Sequence, residues 1–324
     1  MRNSSFPAVS VILPILNEER DLDNCISAIL QQDYPSDIEI ILALGPSKDK
    51  TNQIANQLVA ADSRIKLVNN LTGQTAVGLN LAIAAATYEI ICRVDGHSEI
   101  SNSYIKTAVE IMQQQGAVNV GGLMYADSEY GLQRVVALAM RSKLGVGPSK
   151  FHTGGVAGAT DTVYLGTFNK SAILAAGGFD ERYIRAQDWE LNHRLRKNGG
   201  LVWFDPRLVV TYRPRNTFLK LAKQYFQYGR WRRVISRQHK GTVNYRYLAP
   251  PITVLITILS LLCGLVINPI FTTPALIYIS LIIFGGFLIG RKLFDRVLMP
   301  FVLLTMHFSW GIGFITSPKK LFKS

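Results

Sequence analysis

Short apolar runs alternate with stretches of helical period over the first third of the chain. Residues 9–16, 38–44, 65–68, 89–94 and 118–123 are dense in Val, Ile and Leu and bounded by polar or turn-forming residues, and they read as β-strands. Between them the period lengthens. Leu22, Cys25, Ile26, Ile29 and Leu30 share one face of a helix whose exit is marked by Pro35, and the Ala/Leu-rich stretch 77–86 is a second helix ending before the next strand. Strands separated by helices at this spacing imply right-handed crossovers and a mainly parallel sheet covered on both faces, so the fold class is α/β.

Open parallel sheets bind ligands beyond the carboxyl ends of their strands. The first strand leads into Pro14-Ile15-Leu16-Asn17-Glu18, the second into Gly45-Pro46-Ser47-Lys48-Asp49, and the fourth into Asp95-Gly96-His97. No strand is followed by GxGxxG or GxxxxGKS/T, which argues against a dinucleotide fingerprint and a P-loop.

Composition changes this picture towards the carboxyl end. The 324 residues carry 35 Lys+Arg against 22 Asp+Glu, a balance of +13. The excess is local: from 206 to 294 there is no acidic residue, while Arg213, Arg230, Arg232, Arg233 and Arg246 are among the cations crowding its first half. Stretches 249–267 and 274–290 are uncharged and read as two transmembrane helices joined at Asn268-Pro269. Stretch 297–316 is long enough to cross as well, but Pro300, His307 and two glycines interrupt it. Basic residues flank it on both sides, Arg291, Lys292 and Arg296 before and Lys319, Lys320 and Lys323 after. A full third span would place one cluster against the positive-inside rule, so two spans plus a kinked, re-entrant or interfacial helix is the expectation, with a third span as its alternative. Arg2 precedes the first apolar run, yet Asn17-Glu18-Glu19-Arg20 cuts that run short, which points to a cytosolic first domain rather than a signal peptide. Three scattered cysteines without a CxxC pair suggest neither a structural zinc site nor a disulfide framework.

Asp95 stands at a strand's carboxyl end with His97 two residues on. In an extended segment both side chains point the same way and could share a divalent ion; the plainer alternative is a turn cap with His97 exposed. Asp188, in Gln187-Asp188-Trp189-Glu190, opens a helix; such a residue is suited to capping or, in a phosphate-binding cleft, to general-base work. Glu190 and His193 read as solvated or paired on that helix. Tyr225-Phe226-Gln227-Tyr228-Gly229-Arg230-Trp231 interleaves aromatics with charge before the first span, where membrane phosphates are favoured over nucleic acid as partners.

In this order the residues resemble the family 2 glycosyltransferases of GT-A type, especially the membrane-anchored branch with succinoglycan-type exopolysaccharide glucosyltransferases. Asn17-Glu18 looks like the opening nucleotide-contact motif, Asp95-Gly96-His97 like D-x-D, Gln187-Asp188 like E-D, and Gln227-Tyr228-Gly229-Arg230-Trp231 like Q-x-x-R-W. The resemblance implies a GT-A domain over residues 1–231, a basic juxtamembrane segment over 232–248 and a membrane domain over 249–324. It implies an inverting, metal-dependent transferase with Asp188 as catalytic base. The donor site would comprise Pro14, Asn17, Glu18, Gly45, Asp49, Asn80, Arg93 and Asp95. Mg²⁺ or Mn²⁺ would sit at Asp95 and His97, and Gln227, Arg230 and Trp231 would serve the diphosphate and acceptor. The implied donor is a nucleotide-sugar, UDP-linked by preference, and the acceptor a lipid-linked saccharide at the inner or plasma membrane. Its alternatives are a polyprenyl-phosphate glycosyltransferase and a non-catalytic scaffold that keeps the fold. The sequence departs from the family pattern at Gly45, where relatives carry an acid, at His97 and at Gln187.

Overall fold

The computed structural model describes residues 6–319 and 321; Arg2, Lys320 and Lys323 lie outside the described residues. The described strands form one sheet: β1 (Val9–Ile15), β2 (Ile38–Leu44), β3 (Ile65–Asn69), β4 (Ile90–Arg93), β5 (Glu99–Ile100), β6 (Asn119–Ala126), β7 (Gly158–Ala159), β8 (Tyr164–Asn169) and β9 (Val202–Tyr212). Their order is β3-β2-β1-β4-β8-β6-β9-β5, with β7 on β9. The first four strands pair in parallel. From β4 onward the registered pairs are antiparallel. The sheet is therefore mixed rather than mainly parallel. The run at 118–123 follows a helix as a parallel strand would, but β8, later in the chain, inserts between it and β4 and reverses the direction.

Helices α1 (Leu22–Leu30), α2 (Thr51–Ala61), α3 (Thr75–Ala85) and α4 (Tyr104–Gln115) lie between these strands. Alternation along β1 divides its side chains between two cores: Val9, Val11, Leu13 and Ile15 pack with Leu22, Cys25 and Ile26 of α1 and Ile105 and Val109 of α4, whereas Ile12 packs with Leu79 and Ile83 of α3. The remaining helices are α5 (Gly131–Met140), α6 (Lys143–Val146), α7 (Lys150–Thr153), α8 (Lys170–Ala175), α9 (Gln187–Lys197), α10 (Phe218–Gln238), α11 (Tyr245–Val266), α12 (Thr273–Ile289) and α13 (Leu293–Ile315).

The chain divides into two compact units, residues 1–125 with 154–212, and residues 126–153 with 213–324. The division falls before α10, a continuous helix that runs through the boundary expected at 231, and it assigns 126–153 to the second unit. Within that unit α11, the stretch Pro269–Ile289 and α13 are each long and apolar enough to cross a membrane. The third segment is one continuous helix that contains Pro300. Glycines set α10 against α13: a Cβ on Gly229 would stand 2.0 Å from the Trp310 carbonyl oxygen, and one on Gly313 2.1 Å from that of Phe226. The two backbones touch because these positions carry no side chain. At the start of α13 the buried Asp295 accepts from Arg134 of α5, Nη2 at 2.5 Å and Nε at 3.1 Å.

Candidate active site

Strand order reverses between β1 and β4, and open sheets bind ligands beyond the carboxyl ends of the strands at such a point. The β1–β4 register stops at Ile12 and Arg93, while Pro14 still pairs with Ala43 of β2. Beyond it two loops are stitched together. Asn17, at φ +58°, donates its N–H to Ser47 Oγ at 3.0 Å and accepts from the Lys48 N–H at 2.8 Å through Oδ1. Glu18 N–H donates to Thr51 Oγ1 at 2.7 Å, and Asp49 accepts from the N–H and hydroxyl of Thr51, which hold its carboxyl below the usual range. Gly45 N–H donates to the Ile15 carbonyl at 2.8 Å. Pro14, Asn17, Glu18, Gly45 and Asp49 thus share one rim.

Arg93 closes β4 and is 4% exposed. Its Nη2 and Nε donate to Asp95 Oδ1 at 2.9 and 3.2 Å, and its Nη1 donates to Asp188 Oδ1. Two carboxylates 93 positions apart therefore meet on one guanidinium. Burial works against the arginine's charge, but Asp188 and Asp95 more than offset it and raise its pKa. Asp188 lies in the first turn of α9, whose N-cap, Ala186, is held at φ +62° and makes no side-chain cap bond. That left-handed backbone costs strain for a residue with a Cβ. Burial raises the Asp188 pKa, Arg93 opposes it and Asp95 reinforces it. Asn192 seats α9 on the sheet: Asn119 Nδ2 donates to its Oδ1 at 2.6 Å, and its Nδ2 donates to Thr162 Oγ1 at 3.1 Å.

The segment after Asp95 is a turn, closed by the Ser98 N–H donating to the Asp95 carbonyl at 2.9 Å, and not the extended strand the sequence suggested. Asp95 and His97 consequently take different partners, and His97 Nδ1 lies 2.9 Å from Glu18 Oε1. Glu18 pushes the imidazole pKa up. A Cβ on Gly96 would come within 2.9 Å of Ile15 Cδ1 and 3.0 Å of Glu18 Cγ, so a larger residue there would push against both side chains. Among the described residues no group of three or more His, Cys, Asp or Glu side chains converges as a metal cage. Asp95 Oδ2 and His97 Nε2 still take no hydrogen bond from them. That donor set fits an ion that arrives with phosphate ligands of its own, as Mg²⁺ commonly does.

Asn80 is engaged elsewhere than expected. It donates to the Phe179 carbonyl at 2.8 Å and Glu181 Oε1 at 2.9 Å, accepts from the Phe179 N–H at 2.8 Å, and so holds the loop before α9. Glu190 is buried against Arg194 on its own helix, and His193 stacks on Trp189 with centroids 5.4 Å apart. Trp189 Nε1 also donates to Asp161 Oδ2 at 3.4 Å. Asp161 belongs to no motif, and its only signal in the sequence is its polar surroundings before an apolar run. Gln227, Arg230 and Trp231 lie on α10 in the second unit, their spacing placing them on one helical face. Trp231 is buried, and the Arg230 guanidinium lies over the Phe226 ring at 5.6 Å.

A sheet whose parallel half continues into an antiparallel one, with acidic side chains gathered at the carboxyl ends of its strands, is that of a GT-A glycosyltransferase. Residues 10–164 match the family described as Glycosyl transferase family 2, and the chain carries a domain of that family. It is 28% identical to the succinoglycan biosynthesis protein ExoA of Rhizobium meliloti over 94% of this chain and 93% of that one. A second relative is the dolichyl N-acetyl-alpha-D-glucosaminyl phosphate 3-beta-D-2,3-diacetamido-2,3-dideoxy-beta-D-glucuronosyltransferase of Methanococcus voltae, 27% identical over 75% of this chain and 77% of its own. Among solved structures, the mannosyltransferase PcManGT of Pyrobaculum calidifontis in complex with GDP-Man and Mn²⁺ superposes with a TM-score of 0.60 at 18% identity, covering 97% of this chain and 86% of that one. TarS of S. aureus, residues 1–349 in complex with UDP-GlcNAc, superposes with a TM-score of 0.53 at 14% identity, covering 95% and 91%.

Proposed function

We propose that this glycosyltransferase moves a sugar, with inversion, from a nucleotide-sugar to a lipid-linked saccharide in exopolysaccharide or cell-envelope glycan synthesis. The observation that carries the proposal is the Asp95–Arg93–Asp188 bridge, which brings an acidic group for the donor side and one for the acceptor side to the same guanidinium. The nucleotide lies on the rim of Pro14, Asn17, Glu18, Gly45 and Asp49, and Arg93 faces the donor diphosphate. Asp95, with His97 beside it, would hold a divalent ion, which when bound would supply positive charge to the departing diphosphate. Asp188 takes the proton of the acceptor hydroxyl, whose oxygen attacks the anomeric carbon on the face opposite the breaking bond. Inversion follows from that single displacement. Arg230 serves the diphosphate and Gln227 its geometry, whereas Trp231, expected to meet the acceptor sugar, is buried and packs α10 in place instead. The three apolar helices and the basic approach to α11 support a multi-pass inner-membrane protein with this domain on the cytoplasmic side.

Asp188→Asn tests the assignment. Metal-dependent transfer into extracted lipid is expected to fall 10²–10⁴-fold, the usual worth of a positioned base, while stabilisation by the donor persists. Undiminished transfer removes Asp188 from the chemistry and favours a scaffold. A thermal-shift panel of UDP- and GDP-sugars, with and without Mn²⁺, identifies the nucleotide; stabilisation by a UDP-sugar is expected.

A further inference from the structure

The second unit encloses a cavity of about 390 Å³ that the transfer chemistry leaves unused. Its cations are Lys143 of α6 and Arg246 of α11, and no Asp or Glu lines it. Neither cation forms an ion pair among the described residues. Arg246 donates from Nε to the Val146 carbonyl at 3.2 Å, which fixes its stem and leaves both Nη groups without a hydrogen bond among the same residues. A Cβ on Gly147 would lie 3.0 Å from Arg246 Cγ, so the stem has room because this residue is glycine. His152 also lines the cavity; its Nδ1 is buried with no hydrogen-bond partner, and burial, helped by the charge of Arg246, holds the imidazole pKa down to about 3. A neutral ring is thus kept near Arg246, whose guanidinium lies 5.3 Å from the Tyr247 ring centroid and has no carboxylate partner among the described residues.

The apolar part of the lining comes from α11, α12 and α13. His307 of α13 sits 2.8 Å from the Leu144 carbonyl through Nε2 and 3.0 Å from the Tyr278 hydroxyl through Nδ1. The carbonyl can only accept, so Nε2 carries the proton and the Tyr278 hydroxyl donates to Nδ1. This chain of bonds ties α6, α12 and α13 into a fixed wall, and Pro250, Met306 and Trp310 make its surface apolar. Cations without counter-charge lining the same cavity as apolar helix surface suit an anion joined to a hydrocarbon.

We propose that this cavity binds the phosphate or diphosphate of the lipid-linked acceptor, Arg246 and Lys143 taking its oxygens and the Pro250–Met306–Trp310 surface taking the first isoprenoid units. The inference rests on the lipid-acceptor reading above and adds where the head group is held.

The test uses the full chain in detergent micelles, saturated with UDP and Mn²⁺ so that the donor site is filled, and titrated with farnesyl diphosphate while tryptophan fluorescence is followed. Saturable binding is expected, with Kd at least tenfold higher in Arg246→Gln and in Lys143→Gln, and partial recovery in Arg246→Lys, each variant being checked for an unchanged Tm. Farnesol, which lacks the anion, and inorganic pyrophosphate, which lacks the chain, are both expected to bind at least tenfold more weakly. Arg246→Gln binding like the wild type overturns the proposal, as does equal binding of pyrophosphate, which marks a free-anion site. Displacement by an equal concentration of phosphatidylglycerol also overturns it, by marking a site for bulk lipid. If sugar transfer into lipid fails while farnesyl diphosphate binding depends on Arg246, the function reading falls and the lipid-phosphate site stands. If transfer succeeds with an unaltered acceptor KM in Arg246→Gln, the site alone falls.

Discussion

Arg93 neutralises two carboxylates at once, so its removal should be read at Asp188 as well as at the donor. Burial already sets that carboxyl above the ordinary 3.8, and Arg93 is the group that draws it back. In Arg93→Gln the acidic limb of the kcat/KM profile is expected to move to higher pH, because the base stays protonated further up the scale; a limb that stays put or moves down contradicts the bridge. His97 offers a second reading. Its pKa is raised above 6.5 chiefly by Glu18, so the pair stabilises the fold fully below 6.5 and loses that contribution as pH rises through the raised value. The Tm difference between wild type and Glu18→Gln should therefore be largest in mild acid and shrink as pH rises. Asp95 and Asp188 could be picked from the sequence because each stands at an element boundary that the hydrophobic pattern locates. Arg93 was named through the family resemblance as a donor contact, but its bridge between the two carboxylates was not legible, since no local spacing links positions 93 and 188. Asn80 misled for the converse reason: an asparagine on a cleft helix looks available until the loop at 179–181 is seen to use both ends of its amide.

At the scale of elements, β1, β2 and β4 were legible because β-strands buried on both faces write themselves as apolar runs, and β3, half exposed, as the shorter run 65–68. In the antiparallel half only β6 was legible, as the run at 118–123. Gly166 breaks the apolar pattern of β8, and the strands crowd at glycines: a Cβ on Gly122 would stand 1.8 Å from the Leu208 carbonyl oxygen. Helix α5 was missed for another reason: Val135 to Met140 are all buried, so no polar face marks a period. Its tie to α13 through Arg134 and Asp295 is the buried charge pair to test. Asp295→Ala leaves a largely buried guanidinium without its counter-charge and is expected to cost about 3–5 kcal/mol, measured by denaturant unfolding in detergent.

For the whole molecule, the excess of 35 basic over 22 acidic residues and the uncharged stretches announced a membrane protein, and α11, Pro269–Ile289 and α13 carry that surface. What composition could not convey is that α10, polar and aromatic, has its backbone against the backbone of α13 at Gly229 and Gly313. Helices held apart by long side chains can slip past one another, but a glycine seam allows little play. With 23 residues, α13 is about 35 Å long, and its uncharged part, 297–315, at about 28 Å is close to a hydrocarbon core of about 30 Å, so that in a bilayer its tilt would follow the thickness of the lipid around it. That tilt passes directly to Arg230 and Trp231. Reconstituted in vesicles of graded acyl-chain length, the enzyme should show a transfer rate that peaks at one thickness, and Gly313→Leu should flatten the peak.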